Sequence, residues 1–196
     1  MGRPARPTAA GIYHVAARGP ADQRLFRDES DFLRFEHELQ AVTTDTALRC
    51  FAVCVLTTHY HLLLETEHGV LPIAMQRLNQ RYAHAYNQRY GRRGHAFAER
   101  YLCVPVTNDE QLLTVYRYVV RNPVEAGLCA HPLDWTWSSY PAAIGRDGRF
   151  EFADPTLLVS CCDGSVESLR LFVESEREDE KRCLAPLTRC QAPGGR

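Results

Sequence analysis

Two histidines separated by one residue are the first candidates for chemistry in this 196-residue chain. His59 and His61 flank Tyr60 in a run of apolar residues that predicts a β-strand. Alternate residues of a strand point to the same face, so both imidazoles can reach one metal ion while Tyr60 points to the other side. Imidazole suits transition metals and tolerates Mg beside a carboxylate or amide partner. By spacing alone, a structural or merely exposed pair is favoured over a metal site.

A tyrosine and an asparagine further along the chain form the second candidate. Tyr118 and Asn122 are four residues apart in a segment that predicts a helix, which places them on one helix face. The amide oxygen of Asn122 could complete a metal site while Tyr118 presents its hydroxyl to a phosphate. The alternative is a core tyrosine followed by an asparagine that caps the helix before Pro123. Tyr116 lies about 200° around the helix from Tyr118 and cannot share the face of Asn122.

The elements that must position these residues follow from hydrophobic periodicity and turn residues. The sequence predicts strands over 12–18, 48–56, 59–65 and 101–106, and helices over 28–42, 71–90 and 109–121. The third helix is expected to stop at Asn122-Pro123. This order predicts an α+β, ferredoxin-like (βαββαβ) fold, in which an additional C-terminal helix carries the tyrosine. Two helices cover one face of a four-stranded antiparallel sheet, and the other face is left for a nucleic acid or another helix.

The flanking segments are less regular. We expect residues 1–10 to be a frayed, Pro- and Ala-rich N-terminus, and residues 11–143 to form the functional domain. Residues 135–140 (WTWSSY) are predicted to pack on the core as a closing segment. Residues 144–196 form a C-terminal extension that is expected to be partly disordered, above all over 186–196.

Charge is unevenly distributed although the net charge is only −1. Six arginines between positions 77 and 100 are opposed only by Glu99, whereas residues 163–180 are strongly acidic. Arg77, Arg81 and Arg100 can pair with phosphates, and Tyr82 or Tyr86 can stack on unpaired bases. The alternative is that Tyr82 and Tyr86 form the buried face of their helix.

The eight cysteines do not indicate a metal site, because no two have the C-x-x-C spacing. The N-terminal residues lack the apolar core of a signal peptide, and no stretch is apolar enough to span a membrane. We therefore expect a cytoplasmic protein with no membrane partner, whose cysteines act as small buried hydrophobes.

Taken together, these motifs resemble the HUH single-tyrosine transposases of bacterial insertion sequences, and look closest to the REP-associated tyrosine transposases. The similarity covers about two thirds of the chain. The matching pieces are Tyr13-His14-Val15, Arg18-Gly19, Leu25-Phe26, Asp31 to Phe35, His59 to Glu65 (HYHLLLE), Leu78-Asn79, Arg81-Tyr82, Gly94-His95, Arg100-Tyr101, Tyr118, Asn122-Pro123-Val124, Ala126-Gly127 and Trp137 to Tyr140 (WSSY).

The resemblance implies a metal-dependent enzyme that cuts and joins single-stranded DNA hairpins through a 5′-phosphotyrosine intermediate. It implies that His59, His61 and Asn122 bind a divalent metal, Mg or Mn. It also implies that Tyr118 is the nucleophile, with Tyr116 as the less favoured rival. Arg18, within the first matching motif, joins Arg77, Arg81, Tyr82 and Arg100 as a candidate DNA contact. Relatives include obligate dimers and apparent monomers, so a homodimer is one of two open states.

Two departures from the family pattern stand out. A polar pair such as Pro-Asn is usual before the first histidine, whereas this chain has Thr57-Thr58. That exchange changes the turn and removes no metal ligand. Leu102-Cys103 stands where a lysine is common, which weakens the expected contact with the DNA backbone.

Two alternative functions remain at this point. One is a domesticated family member that processes REP palindromes without moving its own gene. The other is a non-catalytic nucleic-acid-binding module on the same fold, although the aromatic motif of the RNA-recognition fold is missing from the sequence.

Overall fold

Four strands form one antiparallel sheet of order β2-β3-β1-β4 in the computed structural model, which describes residues 7–20 and 23–175. The strands are β1 (Gly11–Arg18), β2 (Arg49–Val55), β3 (His59–Thr66) and β4 (Leu102–Val106). The longer helices are α1 (Glu29–Thr46), α2 (Val70–Arg89) and α3 (Asp109–Glu125). The predicted α+β, ferredoxin-like arrangement is confirmed.

Helices α1 and α2 cover one face of the sheet. Asp28 caps α1, because its side chain accepts a hydrogen bond from the backbone N–H of Ser30 at 3.0 Å. Phe35 of α1 and Tyr82 of α2 lie in the core between these helices and the sheet, together with Tyr60 of β3. Since Tyr60 points into this aromatic core, its neighbours His59 and His61 point to the opposite face of the sheet.

Helix α3 covers the opposite face, where it packs on β2 and β3. The sequence left this face open to a nucleic acid or another helix, and the structure places a helix there. Val115 and Val119 of α3 are buried against it, as is Leu63 of β3. The sheet surface that an RNA-recognition fold would offer to a nucleic acid is therefore occupied.

The prediction that α3 stops at Arg121 is wrong, because the helix continues through Pro123 to Glu125. A proline removes one backbone donor from a helix, but the ladder resumes where the N–H of Ala126 donates to the carbonyl of Asn122 at 2.9 Å. Asn122 and Pro123 are both buried, so packing of this turn offsets the missing hydrogen bond.

The segment before α4 (Tyr140–Ala143) closes the free edge of β2. The N–H of Val55 donates to the carbonyl of Trp137, and the N–H of Ser139 donates to the carbonyl of Val53, both at 2.9 Å. The predicted closing segment is therefore confirmed. It shields an otherwise exposed strand edge.

Part of the C-terminal extension packs on α3. Two further short helices, α5 (Thr156–Ser160) and α6 (Val166–Glu174), contribute Leu158 and Leu169 to the core on that face. Arg121 of α3 donates to the carbonyl of Val173 at 3.0 Å, close to the end of α6. The extension thus holds the helix that carries Tyr118.

The predicted disorder of residues 186–196 lies outside the described residues, as do the first six positions of the predicted frayed N-terminus. Residues 7–10 are described, and there the carbonyl of Thr8 accepts from the N–H of Gly69 at 2.7 Å. Among the described residues, no helix is long and apolar enough to cross a membrane.

Candidate active site

Two histidines of β3 lie on the face of the sheet that α3 covers. Alternation along the strand sends Tyr60 the other way, into the core under α1 and α2, where its hydroxyl donates to Oδ1 of Asn79 at 2.7 Å. His59 is 8% exposed and His61 is fully buried, so the pair is neither an exposed nor a solvated feature.

Each imidazole is held through its Nδ1 atom. Nδ1 of His59 lies 2.9 Å from Oγ1 of Thr58, and Nδ1 of His61 lies 3.0 Å from Nε2 of His14 on β1. A partner on one ring nitrogen fixes both the orientation and the tautomer of an imidazole, which leaves the other nitrogen to act.

The Nε2 atoms of both histidines are directed away from these partners. Nε2 of His59 lies 3.2 Å from Oδ1 of Asn122, which α3 places over the same face of the sheet. In the described part of the chain, Nε2 of His61 and Nδ2 of Asn122 are buried without a hydrogen-bond partner. Unpartnered buried polar atoms cost about 1–3 kcal/mol each, so two of them in residues that both contact His59 point to a ligand.

The structure excludes the interpretation of Asn122 as the helix cap. Ala126 caps α3, one turn later, and Asn122 is an interior helical residue with no exposed surface. Its carboxamide is therefore free of the capping role and faces the histidines.

Tyr118 lies one helical turn before Asn122, against the same imidazoles. Its ring meets those of His61 and His14 edge-on, with centroid distances of 5.3 and 5.8 Å. Tyr118 is 5% exposed and also belongs to the apolar core on this face.

Tyr116 points elsewhere. It is completely buried in the core under α3, and burial raises the pKa of its hydroxyl well above the ordinary value, with a smaller contribution from Cys162. Of the two tyrosines, only Tyr118 shares the site with the histidines.

Burial keeps the imidazoles neutral. It lowers the pKa of His59 to about 4, opposed by the hydrogen bond to Asn122 and assisted by the charge of Arg18. Burial likewise lowers the pKa of His14 to about 3 and that of His61 well below its usual range. Neutral imidazoles are the form that binds a metal ion.

Two of the predicted DNA-contacting arginines lie at the histidine end of the sheet. Arg18 is directly opposite His59 in the pairing of β1 with β3. The carbonyl of Arg18 accepts from the N–H of Ala98 at 2.9 Å, which brings in the loop that carries the exposed Arg100.

The other two arginines do not join them. Arg77 and Arg81 are exposed on α2, on the opposite side of the sheet from the histidines. Arg81 lies 3.8 Å from carboxylate oxygens of Glu38 and Asp45, which offset its charge. They do not line the candidate site.

The expectation that Tyr82 stacks on a DNA base is corrected by the structure. Tyr82 is 1% exposed, and its hydroxyl donates to the carbonyl of Leu25 at 2.8 Å. Tyr86 is also buried and donates to the carbonyl of Arg24. The alternative is confirmed: both tyrosines form the buried face of α2, because their i, i+4 spacing puts them on the same side of the helix.

The donor set fits a divalent cation. The described residues contain no group of three or more His, Cys, Asp or Glu side chains that could hold a metal ion. The set here is two neutral imidazoles and a carboxamide oxygen, all of them ligand types for first-row divalent ions. With no carboxylate among them, the full charge of a cation remains available to a phosphate.

Two residues of the site were missed by reasoning from the sequence. His14 was noted only as part of a motif, and Thr58 only as a departure in the turn. Alternation along β1 puts His14, Ala16 and Arg18 on one face, and this signal could have identified His14 once the strand pairing was known.

A scan of protein families gives a match over residues 8–122 to the family described as "Transposase IS200 like". That match covers more than half of the 196 residues. The chain belongs to the IS200-like transposase family. The matched region contains every residue of the candidate site, from His14 to Asn122. No curated protein matches this family member.

One solved structure shares the fold, and a second gives a weaker match. The structure of a REP-associated tyrosine transposase bound to a REP hairpin superposes with a TM-score of 0.65 at 17% identity, over 74% of this chain and 87% of the other. A structure of a candidate transposase from Deinococcus radiodurans r1 gives a TM-score of 0.43 at 17% identity, over 64% of this chain and 97% of that one. At this identity the first match supports the fold alone.

Proposed function

We propose that this IS200-like transposase cuts and rejoins single-stranded DNA with Tyr118 as the nucleophile, beside a divalent metal site formed by His59, His61 and Asn122. The observation that carries the proposal is the convergence of three buried groups from two elements. His59 Nε2 is 3.2 Å from Asn122 Oδ1, and His61 presents an unpartnered Nε2 to the same side as the Tyr118 ring.

The cation, Mg²⁺ or Mn²⁺, would supply positive charge next to a non-bridging oxygen of the scissile phosphate. The protein residues orient the reaction around it. Thr58 and His14 hold the two imidazoles through their Nδ1 atoms, and Asn122 presents its amide oxygen to Nε2 of His59. Arg18, across from His59, places a further positive charge at the edge of the site.

Tyr118 attacks phosphorus in line in this proposal. A bond forms between its phenolic oxygen and phosphorus, and the bond from phosphorus to the 3′ oxygen breaks. The phenol loses one proton and the leaving 3′ oxygen gains one, so the step is balanced. The remaining 5′-phosphotyrosine retains the phosphodiester energy, so a second 3′-hydroxyl can attack it and rejoin strands. Water would discard this linkage, which is why a tyrosine suits transposition.

The substrate we propose is a single strand that folds into a hairpin. The structural neighbour with the higher TM-score was solved with a REP hairpin, and this chain gathers Arg18 and Arg100 at the histidine end of its sheet. Such a surface suits a phosphate backbone.

The test uses hairpin oligonucleotides from the DNA flanking the gene, incubated with Mg²⁺ or Mn²⁺ and run on a denaturing protein gel. A label at the 3′ end should appear on the protein, whereas a label at the 5′ end should leave on a free fragment with a 3′-hydroxyl. Tyr118→Phe should lose the adduct, and Tyr116→Phe, the matched control on the same helix, should keep it.

Each other outcome has a definite meaning. Loss of the adduct in Tyr116→Phe alone would move the nucleophile. Transfer of the 5′ label instead would reverse the polarity of cleavage. Tight binding without an adduct, across several hairpins and both metals, would favour a non-catalytic binding module.

A further inference from the structure

The contact between His14 and His61 is a hydrogen bond in the plane of both rings. Their ring planes differ by only 13°, while their centroids are 5.1 Å apart. Rings stacked face to face would be closer, whereas a hydrogen bond between ring edges separates the centroids by its own length and two ring radii. The distance of 3.0 Å between Nε2 of His14 and Nδ1 of His61 agrees with the second geometry.

Strand register explains how the two rings meet. Ala16 of β1 lies directly opposite His61 of β3, and His14 is its diagonal neighbour on the same face. The small side chain of Ala16 leaves room for both imidazoles beneath α3. Both rings are fully buried, so water does not replace either partner.

One proton lies between the two nitrogens, and its position decides what His61 can do. If Nδ1 of His61 carries it and donates to His14, then Nε2 of His61 has a free lone pair. If Nε2 of His14 carries it, then neutral His61 is protonated at Nε2 and cannot bind a metal ion there. In the described part of the chain, Nε2 of His61 and Nδ1 of His14 both lack a hydrogen-bond partner, so the protein groups favour neither arrangement. A cation at Nε2 of His61 would select the first.

We infer that His14 is a positioning residue that accepts the Nδ1–H of His61 and so leaves Nε2 of His61 as a metal-binding nitrogen. This inference rests on the proposed function, because it assigns His14 its role through the metal site. Thr58 provides the same kind of support for His59, at 2.9 Å from its Nδ1. An imidazole is an unusual acceptor in such a pair, where a carboxylate or a carbonyl is the common one.

The choice of an imidazole has a consequence for charge. A carboxylate behind His61 would add a negative charge to the site, whereas neutral His14 adds none. The set His59, His61 and Asn122 is also uncharged, so the whole site leaves the charge of a cation to the substrate phosphate.

The test compares Mn²⁺ binding, followed by electron paramagnetic resonance, in wild type, His14→Leu and His14→Gln. His14→Leu keeps similar bulk without an acceptor and should weaken binding by about 10- to 100-fold, the range for loss of such a partner. His14→Gln offers an amide oxygen to the same N–H and should recover most of the affinity. Val15→Ala is the matched control, since Val15 is buried on the other face of β1 and its loss should leave Mn²⁺ affinity unchanged.

Nitrogen NMR of histidine-labelled protein with Mg²⁺ provides a readout that a merely structural role would not change. Wild-type His61 should be protonated at Nδ1 and bare at Nε2, and His14→Leu should lose this single tautomer. Melting temperatures in EDTA show whether either variant is unfolded.

The outcomes separate the two proposals. Wild-type Mn²⁺ binding that His14→Leu does not change, or a wild-type His61 protonated at Nε2 with Mg²⁺ bound, would overturn the role of His14 alone. If the wild type binds no more Mn²⁺ than His59→Gln does, both the metal site and the role of His14 are overturned.

Discussion

The two faces of the sheet are built from neighbouring residues of the same strands, yet they differ in how their polar groups are satisfied. Under α1 and α2, the hydroxyls of Tyr60, Tyr82 and Tyr86 each donate a hydrogen bond of 2.7–2.8 Å. Under α3, His61 and Asn122 are equally buried but keep polar atoms that no described protein group hydrogen-bonds.

On the α1 and α2 face, folding itself provides hydrogen-bond partners for these polar groups, whereas on the α3 face a ligand is expected to provide them. Burying an unpartnered polar atom is costly, and the cost is tolerated where binding or catalysis needs the atom. Along β3 the change occurs between adjacent residues, since Tyr60 is satisfied and His61 is not. The chemistry of the protein is therefore expected on the α3 face, beside the two histidines.

The largest effects are expected from two neighbouring substitutions on β3, one on each face of the sheet. His61→Leu should reduce DNA cleavage on the order of 10³-fold, because a buried group that stabilises the reacting phosphate is lost. It should cost only about 1 kcal/mol of unfolding free energy, because Nε2 of His14 loses its partner while the unpartnered Nε2 of His61 is removed.

The neighbouring Leu62→Ala should do the reverse. Leu62 is fully buried on the α1 and α2 face, so its loss should cost about 3 kcal/mol of unfolding free energy, with cleavage per folded molecule retained. Urea unfolding and a cleavage assay measure both. If His61→Leu destabilised the protein as much as Leu62→Ala, the α3 face would be an ordinary core.

In EDTA, the free energy of unfolding should decrease as the pH is lowered, because of the buried histidines on the α3 face. His14 and His59 have pKa values lowered to about 3 and about 4 in the folded protein, against about 6.5 when unfolded. Between those values the unfolded chain binds more protons, so stability is complete above about pH 6.5 and is lost as the pH falls towards 4. Each histidine contributes a slope of up to about 1.4 kcal/mol per pH unit.

Urea titrations at several pH values from 7.5 to 4.5 measure this slope. Replacing His59 with Gln should make it shallower, because one of the buried imidazoles is gone. A wild-type slope that His59→Gln leaves unchanged would show that other groups cause the acid sensitivity.

The smallest effect is expected from Tyr82→Phe on the satisfied face. Removing the hydroxyl leaves the carbonyl of Leu25 without its donor and should cost about 1 kcal/mol of unfolding free energy. Affinity for a hairpin oligonucleotide, measured by fluorescence anisotropy, should not change, whereas Arg100→Ala should lower it. Weaker DNA binding by Tyr82→Phe without loss of stability would restore the stacking role.

Much of this architecture could be predicted from the sequence, because the signals are local. Alternation places His59 and His61 on one face, and helical spacing puts Asn122 one turn beyond Tyr118. The strands and helices likewise follow their own periodicity.

The remainder depends on contacts between distant parts of the chain. His14 acquires a role only when β1 pairs with β3 in one register, with Ala16 opposite His61. Arg81 was expected to meet DNA, but it faces Glu38 and Asp45 of α1, which no local pattern shows. The continuation of α3 through Pro123 depends on packing that offsets a lost hydrogen bond, so the local rule for proline failed there.

The most direct test of the account is anomalous diffraction at the manganese edge from crystals soaked in Mn²⁺. The proposed metal site predicts an anomalous peak from a Mn²⁺ ion that is coordinated by Nε2 of His59, Nε2 of His61 and Oδ1 of Asn122. A peak held by other residues, with none at these three under Mn²⁺ concentrations that support cleavage, would contradict it.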